Sequence, residues 1–138
     1  MSSQAEGISL IRLERTECYG PCPVYEVELG RDGRATYVGK MCVEKLGVHT
    51  GWLDEDQFER LARLIVRLGF FDLDSDYSEE FMDAATHITT VVRDGVAKRV
   101  SNYGEAGPDE LWAIEELIDA VADGVDWEPG VREDEENE

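Results

Sequence analysis

The sequence predicts an α+β domain: an antiparallel sheet of five or six strands with two amphipathic helices packed on one of its faces. Three observations lead to this prediction. Apolar and polar residues alternate over positions 24–29, as they do in a strand with one buried face. Asp–Gly pairs at 32–33 and 94–95 each separate two strand-like segments and tolerate the positive φ angles of hairpin turns. Two later segments carry apolar residues at helical spacing, and such helices cover an apolar sheet face.

The strands fall into an N-terminal group and a later hairpin. We predict strands at residues 8–14, 24–29, 35–43, 86–93 and 96–101, with 46–53 as a sixth candidate. A turn rich in Gly and Pro, from Cys18 to Pro23, separates the first two strands. β-branched residues dominate 86–93, which is typical of strands. The pattern does not predict the order of the strands in the sheet.

Two helices complete the domain. Asp54 and Gln57 resemble a capping box at the start of the first helix, and Gly69 is placed to end it. Pro108 opens the second, where its missing N–H costs nothing. The apolar stripes are Phe58, Leu61, Ala62, Ile65 and Leu68 in the first helix and Leu111, Ile114, Leu117, Ile118 and Val121 in the second. Trp112 lies next to the second stripe and is predicted to belong to the core.

These elements are expected to form one domain over residues 1–127. The chain has 138 residues, the usual length of a single domain. Residues 128–138 are acidic and poor in apolar side chains. We predict that they form a disordered tail, because they cannot bury enough surface to offset the entropy of ordering.

Charge narrows the range of partners. The chain has 32 acidic and 13 basic residues, a formal net charge of −19. Such a surface repels nucleic-acid phosphates and anionic lipid, so we expect neither a nucleic-acid nor a membrane partner. It attracts basic proteins, basic peptides and cations. No secretory signal or membrane-spanning run is visible, which predicts a cytoplasmic protein with mostly reduced cysteines.

The most distinctive segment is the turn between the first two strands. It reads R-T-E-C-Y-G-P-C-P-V-Y from Arg15 to Tyr25. This segment resembles the signature R-T-x-C-[YF]-G-x-C-P-x-Y of an uncharacterised bacterial family of unknown function. Later similarities at Phe70-Phe71, Tyr103-Gly104 and Ile118-Asp119 extend the resemblance over about residues 8–127. The family has no established activity, so the resemblance implies the kind of domain and leaves its function open.

Cys18 and Cys22 allow three interpretations. The sequence favours small apolar side chains packed under a rigid turn formed by Gly20, Pro21 and Pro23. The C-x3-C spacing could instead close a small disulfide or act as a redox switch. The two thiolates could also help to hold a metal, with Cys42 as a third ligand, although a zinc site needs four ligands and nothing places another one nearby.

The absence of catalytic motifs and the presence of aromatic residues at element ends favour binding over catalysis. The sequence contains no nucleophile elbow, phosphate loop or calcium-binding loop, so we predict no catalytic residues and no cofactor. Half-buried aromatic rings could rim a groove. The candidate ligand-binding residues are Tyr19, Tyr25, Trp52 and Trp127. The leading hypothesis is a non-catalytic binding or accessory domain that recognises a basic protein or peptide, or a small ligand. The alternative is a small thiol-redox or metal-binding protein centred on Cys18 and Cys22.

Overall fold

The alternating segments pair into a single sheet in the computed structural model, which describes residues 4–18, 20–78 and 84–130. Within those residues the chain forms eight strands and two α-helices. The strands are β1 (Ile8–Arg15), β2 (Val24–Gly30), β3 (Arg34–Met41), β4 (Gly47–Trp52), β5 (Asp76–Tyr77), β6 (Thr86–Arg93), β7 (Val96–Tyr103) and β8 (Glu128–Pro129). The helices are α1 (Glu55–Arg67) and α2 (Asp109–Asp123). The α+β class is therefore confirmed.

The sheet has the order β5-β7-β6-β1-β2-β3-β4-β8. The neighbouring strands are antiparallel, except that β5 runs parallel to β7. β1, the first strand in the chain, lies inside the sheet between β2 and β6. Both Asp–Gly pairs lie in hairpin turns, between β2 and β3 and between β6 and β7.

The predicted strand count of five or six is wrong. The six longer strands match the predicted segments, and the two additional strands, β5 and β8, are the two-residue edges of the sheet. A pair of residues is too short to show the alternation by which a strand is recognised. The parallel pairing of β5 with β7 also departs from the expected antiparallel sheet.

The described chain continues beyond residue 127, where the sequence predicts the tail to begin. β8 pairs with His49 and Thr50 of β4, and the Gly130 N–H donates to the Val48 carbonyl oxygen at 2.7 Å. The acidic run of the predicted tail, residues 131–138, lies outside the described residues.

Both helices bury their apolar stripes in one core with the same face of the sheet. Ile11, Leu13 and Val27 on that face belong to the same buried cluster as Phe58 of α1 and Ile114 of α2. The predicted C-terminal glycine of α1, Gly69, has a φ of +82°, the left-handed conformation that glycine adopts without strain. Among the described residues, no helix has the length and apolar character needed to cross a bilayer.

Two local predictions for the helices are wrong. Asp54 is the N-cap of α1 but makes no side-chain capping hydrogen bond, so the capping box does not form. Trp112 is 51% exposed instead of buried, because its position on α2 lies outside the stripe that faces the sheet. The buried face of α2 contains Glu115 as well as apolar residues, and no sequence pattern predicted this.

The helix-covered face of the sheet changes from apolar to polar along its strands. Ile11 and then Leu13 on β1 point into the core. Two residues further, on the same face, Arg15 pairs in register with Tyr25 of β2 and with His87 of β6. α2 lies over this polar end, since its acidic side chains bond to these residues. The candidate site is built here.

Candidate functional site

Three side chains at the polar end of the sheet hold one another in place. Arg15 Nε donates to Tyr25 Oη at 2.8 Å, and its Nη2 donates to Asp119 Oδ2 on α2 at 2.5 Å. Tyr25 Oη in turn donates to Asp119 Oδ1 at 2.6 Å. The Arg15 side chain is 11% exposed and that of Asp119 is 23% exposed, so the ion pair is largely withdrawn from water.

These contacts determine which protonation states Tyr25 and Arg15 adopt near neutral pH. Burial raises the pKa of Tyr25, and the hydrogen bond and charge of Asp119 raise it further. Burial opposes the charged form of Arg15, but the Asp119 carboxylate outweighs that effect, so the pKa of Arg15 is raised above its usual value. Near neutral pH, Tyr25 is therefore a neutral hydrogen-bond donor and Arg15 a permanent cation.

A second group extends the network beneath α2. Glu115 is 1% exposed and accepts hydrogen bonds from Asn102 Nδ2 at 2.9 Å and from His87 Nδ1 at 3.0 Å. Arg15 Nη1 lies 3.0 Å from His87 Nε2. The network is satisfied when the imidazole is neutral, with its proton on Nδ1 and its Nε2 accepting from Arg15. A buried carboxylate needs such partners, so this half of the network anchors α2 on the sheet.

A cleft of about 250 Å³ opens beside this network. Its floor is aromatic: the Tyr25 and Tyr37 rings stack with their centroids 5.7 Å apart, and Tyr37 meets Trp127 at 5.7 Å with the planes tilted by 44°. One wall is the C-terminal end of α2, against which Trp127 Nε1 is tied to the Ala122 carbonyl oxygen at 2.9 Å. The β3–β4 loop forms the opposite wall.

Gly39 allows that loop to fold over the floor. It pairs in register with Tyr25, and a Cβ built at this position would collide with the backbone carbonyl of Lys45. Val43, Glu44 and Lys45 thereby reach the cleft. A glycine at this point of β3 is therefore part of the construction of the wall.

The cleft contains carboxylates in addition to the one that its own polar network uses. The Asp119 carboxylate is taken up by Arg15 and Tyr25. Within the part of the chain that the structure describes, Asp123 and Glu44 make no side-chain hydrogen bond or ion pair, and the exposed Lys45 at the rim pairs with neither. The last turn of α2 contains no basic residue, although the negative end of a helix dipole favours cations.

The cysteines divide into a pair and a single thiol. Cys18 and Cys22 form a disulfide across the Gly20–Pro21 turn, with their Cα atoms 5.8 Å apart. The favoured interpretation, two packed free thiols, is therefore wrong, and the disulfide alternative describes the structure. Cys42 is a free and exposed thiol in the β3–β4 loop. Among the described residues, no cluster of three or more His, Cys, Asp or Glu side chains is arranged to hold a metal.

The predicted aromatic residues have different locations. Tyr25 and Trp127 line the cleft. Trp52 is 72% exposed and pairs in register with Arg34 near the opposite end of the sheet, so it is not part of this site. Tyr19 lies outside the described residues.

Sequence reasoning missed most of the polar residues of the site. Arg15 had a usable signal, because it continues the alternation of Ile11 and Leu13 on the buried face. Asp119 and Asp123 had none, since acidic residues near a helical stripe usually face solvent. Tyr37 could be assigned only once β3 was paired with β2 in the observed register.

The fold and the site define a small α+β domain with an acidic cleft between the sheet and the end of its second helix. The chain belongs to the family described as Domain of unknown function (DUF6438), whose model matches residues 9–122. The matched region contains Arg15, Tyr25 and Asp119 and ends before Trp127. No curated protein matches the chain.

Proposed function

We propose that this domain is a non-catalytic binding module that takes a positively charged group into its cleft. The group would belong to a basic protein or peptide, or to a small cationic ligand. One observation carries the proposal: the aromatic floor lies beside carboxylates that pair with no cation among the described residues, at a helix end whose last turn has no basic residue. Aromatic faces and carboxylates both attract cations.

The state of the polar network supports binding over catalysis. Arg15 and Asp119 are engaged with each other, and Glu115 with His87 and Asn102. The raised pKa of Tyr25 removes it as a proton acceptor near neutral pH. The segment from Arg15 to Tyr25, the most distinctive in the sequence, supplies one end of the network and part of the cleft floor. We infer that this segment is constrained by the construction of the site.

The test is a comparison of peptides and matched variants. A Lys/Arg-rich peptide should bind the protein, a composition-matched Asp/Glu-rich peptide should not, and added salt should weaken the binding. Asp123→Asn should reduce the affinity, whereas Asp56→Asn, which removes the same charge on α1 away from the cleft, should not. Equal losses in the two variants would attribute binding to the general negative field and overturn the role of the cleft.

The disulfide supports a second candidate, a thiol-redox function at Cys18 and Cys22. Cytosolic disulfides are usually transient and redox-active, whereas stable ones are typical of oxidising compartments. A cytoplasmic location would therefore favour the redox function. Trapping free thiols by alkylation during cell lysis distinguishes the two cases. One reactive thiol, at Cys42, indicates a stable structural disulfide, and a mixture of one and three indicates turnover.

A further inference from the structure

We infer that the group this cleft accepts is an alkylammonium, the end of a lysine side chain or of a small aliphatic amine. This inference rests on the proposed binding function and names the chemical class of the ligand. It is drawn from the size of the cleft, from its floor, and from the way in which its carboxylates are already used.

The size limits the occupant to about one side chain. The cleft measures about 250 Å³, below the range of roughly 300–1,000 Å³ that is usual for drug-sized ligands. It lies at the surface beside the C-terminal end of α2, so the rest of a longer molecule can remain outside it. A cationic head on a narrow aliphatic stem fits this size.

The floor suits such a stem and head. The faces of Tyr37 and Trp127 are tilted towards each other by 44°, and Val43 and Val125 add apolar surface. Methylene groups pack on apolar and aromatic surfaces while the charged head stays near water and carboxylates. An ammonium held close to a Trp or Tyr face gains cation–π attraction as well.

The acceptors favour an ammonium over a guanidinium. The carboxylate best held in place, that of Asp119, already accepts the chain's own guanidinium at Arg15 and the Tyr25 hydroxyl. The two remaining carboxylates, Asp123 and Glu44, are exposed and lie on opposite walls. A planar guanidinium fork is best met by one positioned carboxylate, whereas the three donors of an ammonium can turn towards separate acceptors.

Lys45 provides an internal check. Lys45 belongs to the loop wall of the cleft, so its ammonium would repel an incoming cation or compete with it for the site. Lys45→Gln should therefore bind an ammonium ligand about twofold to fivefold more tightly than the wild type. The surface base Lys40 pairs with Glu26 outside the cleft, and Lys40→Gln is the control that should leave the affinity unchanged.

The experiment is an NMR titration with n-butylammonium, n-butylguanidinium and n-butanol, read at the indole N–H signals. Trp127 reports on the cleft, and the exposed Trp52 and Trp112 report on nonspecific effects. We expect n-butylammonium to shift the Trp127 signal selectively and to bind more tightly than n-butylguanidinium, with n-butanol inactive. Asp123→Asn should weaken the binding about twofold to fivefold.

The outcomes separate the inference from the function on which it rests. Tighter binding of n-butylguanidinium at Trp127 would overturn the ammonium assignment and leave the cation-binding cleft in place. A Trp127 signal that neither cation moves would overturn both.

A further arm identifies the source of the ammonium. A lysine peptide that binds at least tenfold more tightly than n-butylammonium, and loses binding on acetylation of the lysine, indicates a protein partner. Equal affinities indicate a free amine.

Discussion

Asp119 is the residue on which the polar network converges, since both of its oxygens are used. Asp119→Ala would leave Arg15 and the Tyr25 hydroxyl partly buried without their acceptor. We expect a loss of about 2–4 kcal/mol in the free energy of unfolding, measured by urea denaturation. Glu116 reaches the same Arg15 Nη2 at 3.4 Å but is 51% exposed, so Glu116→Ala should cost less than about 0.5 kcal/mol. Similar losses in the two variants would contradict this ranking.

Tyr25 gives the stability a dependence on pH at the alkaline end. Its pKa is raised in the folded protein above the ordinary value of about 10. Above pH 10 the unfolded chain releases this proton while the folded protein keeps it, so the stability that is present below pH 10 falls as the pH rises. Unfolding free energies measured from pH 8 to 11 should therefore fall more steeply for the wild type than for Tyr25→Phe. Parallel curves would show that Tyr25 does not contribute.

Single residues could be predicted only where a periodic pattern covers them. The alternation on β1 places Arg15 on the buried face, and the stripes of α1 and α2 identify most of the core. The burial of Glu115 follows from two partners that are distant in sequence, His87 and Asn102. No local pattern reports such a partnership, because the cost of burial is offset by residues from other strands.

The disulfide lies within the connection between β1 and β2 and constrains that connection as a whole. It closes a short loop, since Cys18 and Cys22 are four positions apart. The loop-entropy relation gives about 2 kcal/mol for a loop of this length. We therefore expect Cys18→Ser with Cys22→Ser to lower the unfolding free energy by about that amount in non-reducing buffer, and to have no further effect when reductant is added. Cys42→Ser is the control that should be neutral, because this thiol is free and exposed.

The position of the β3–β4 loop over the cleft depends on the absence of a side chain at Gly39. A methyl group at this position would meet the Lys45 backbone and force the loop off the cleft. We expect Gly39→Ala to cost about 1–3 kcal/mol, as overpacking does, and to weaken cation binding. Gly124, at the end of α2, has only an ordinary contact at 3.5 Å and a negative φ. Gly124→Ala should therefore be tolerated. Equal thermal stability of the two variants would remove the structural role of Gly39.

Among the secondary-structure elements, the sequence predicts the long ones well and the short ones poorly. The six longer strands and both helices follow from alternation, Asp–Gly turns and apolar stripes that extend over many residues. β5 and β8 have two residues each and exist because β7 and β4 offer them a free edge. Their presence is a consequence of the assembled sheet, and no property of their own residues predicts it.

For the whole molecule, strand order depends on contacts between distant parts of the chain, whereas the net charge is set by its composition. β1 lies between β2, its neighbour in sequence, and β6, more than 70 residues further on. Several arginines are engaged in ion pairs: Arg12 lies near Glu14 and Glu26, and Arg31 pairs with Glu59. Because acids outnumber bases so heavily, these pairs leave most of the negative charge uncompensated.

The remaining charge predicts that salt stabilises the protein. A net charge of −19 repels itself more strongly in the compact folded state than in the expanded chain. Salt screens this repulsion over about 10 Å at 0.1 M. Melting temperatures at neutral pH should therefore rise as NaCl increases from low concentration to about 0.5 M, and KCl should give the same curve because screening does not depend on the identity of the ion. A falling curve would mean that the ion pairs of Arg12, Arg15 and Arg31, which salt weakens, outweigh the repulsion among the unpaired acids.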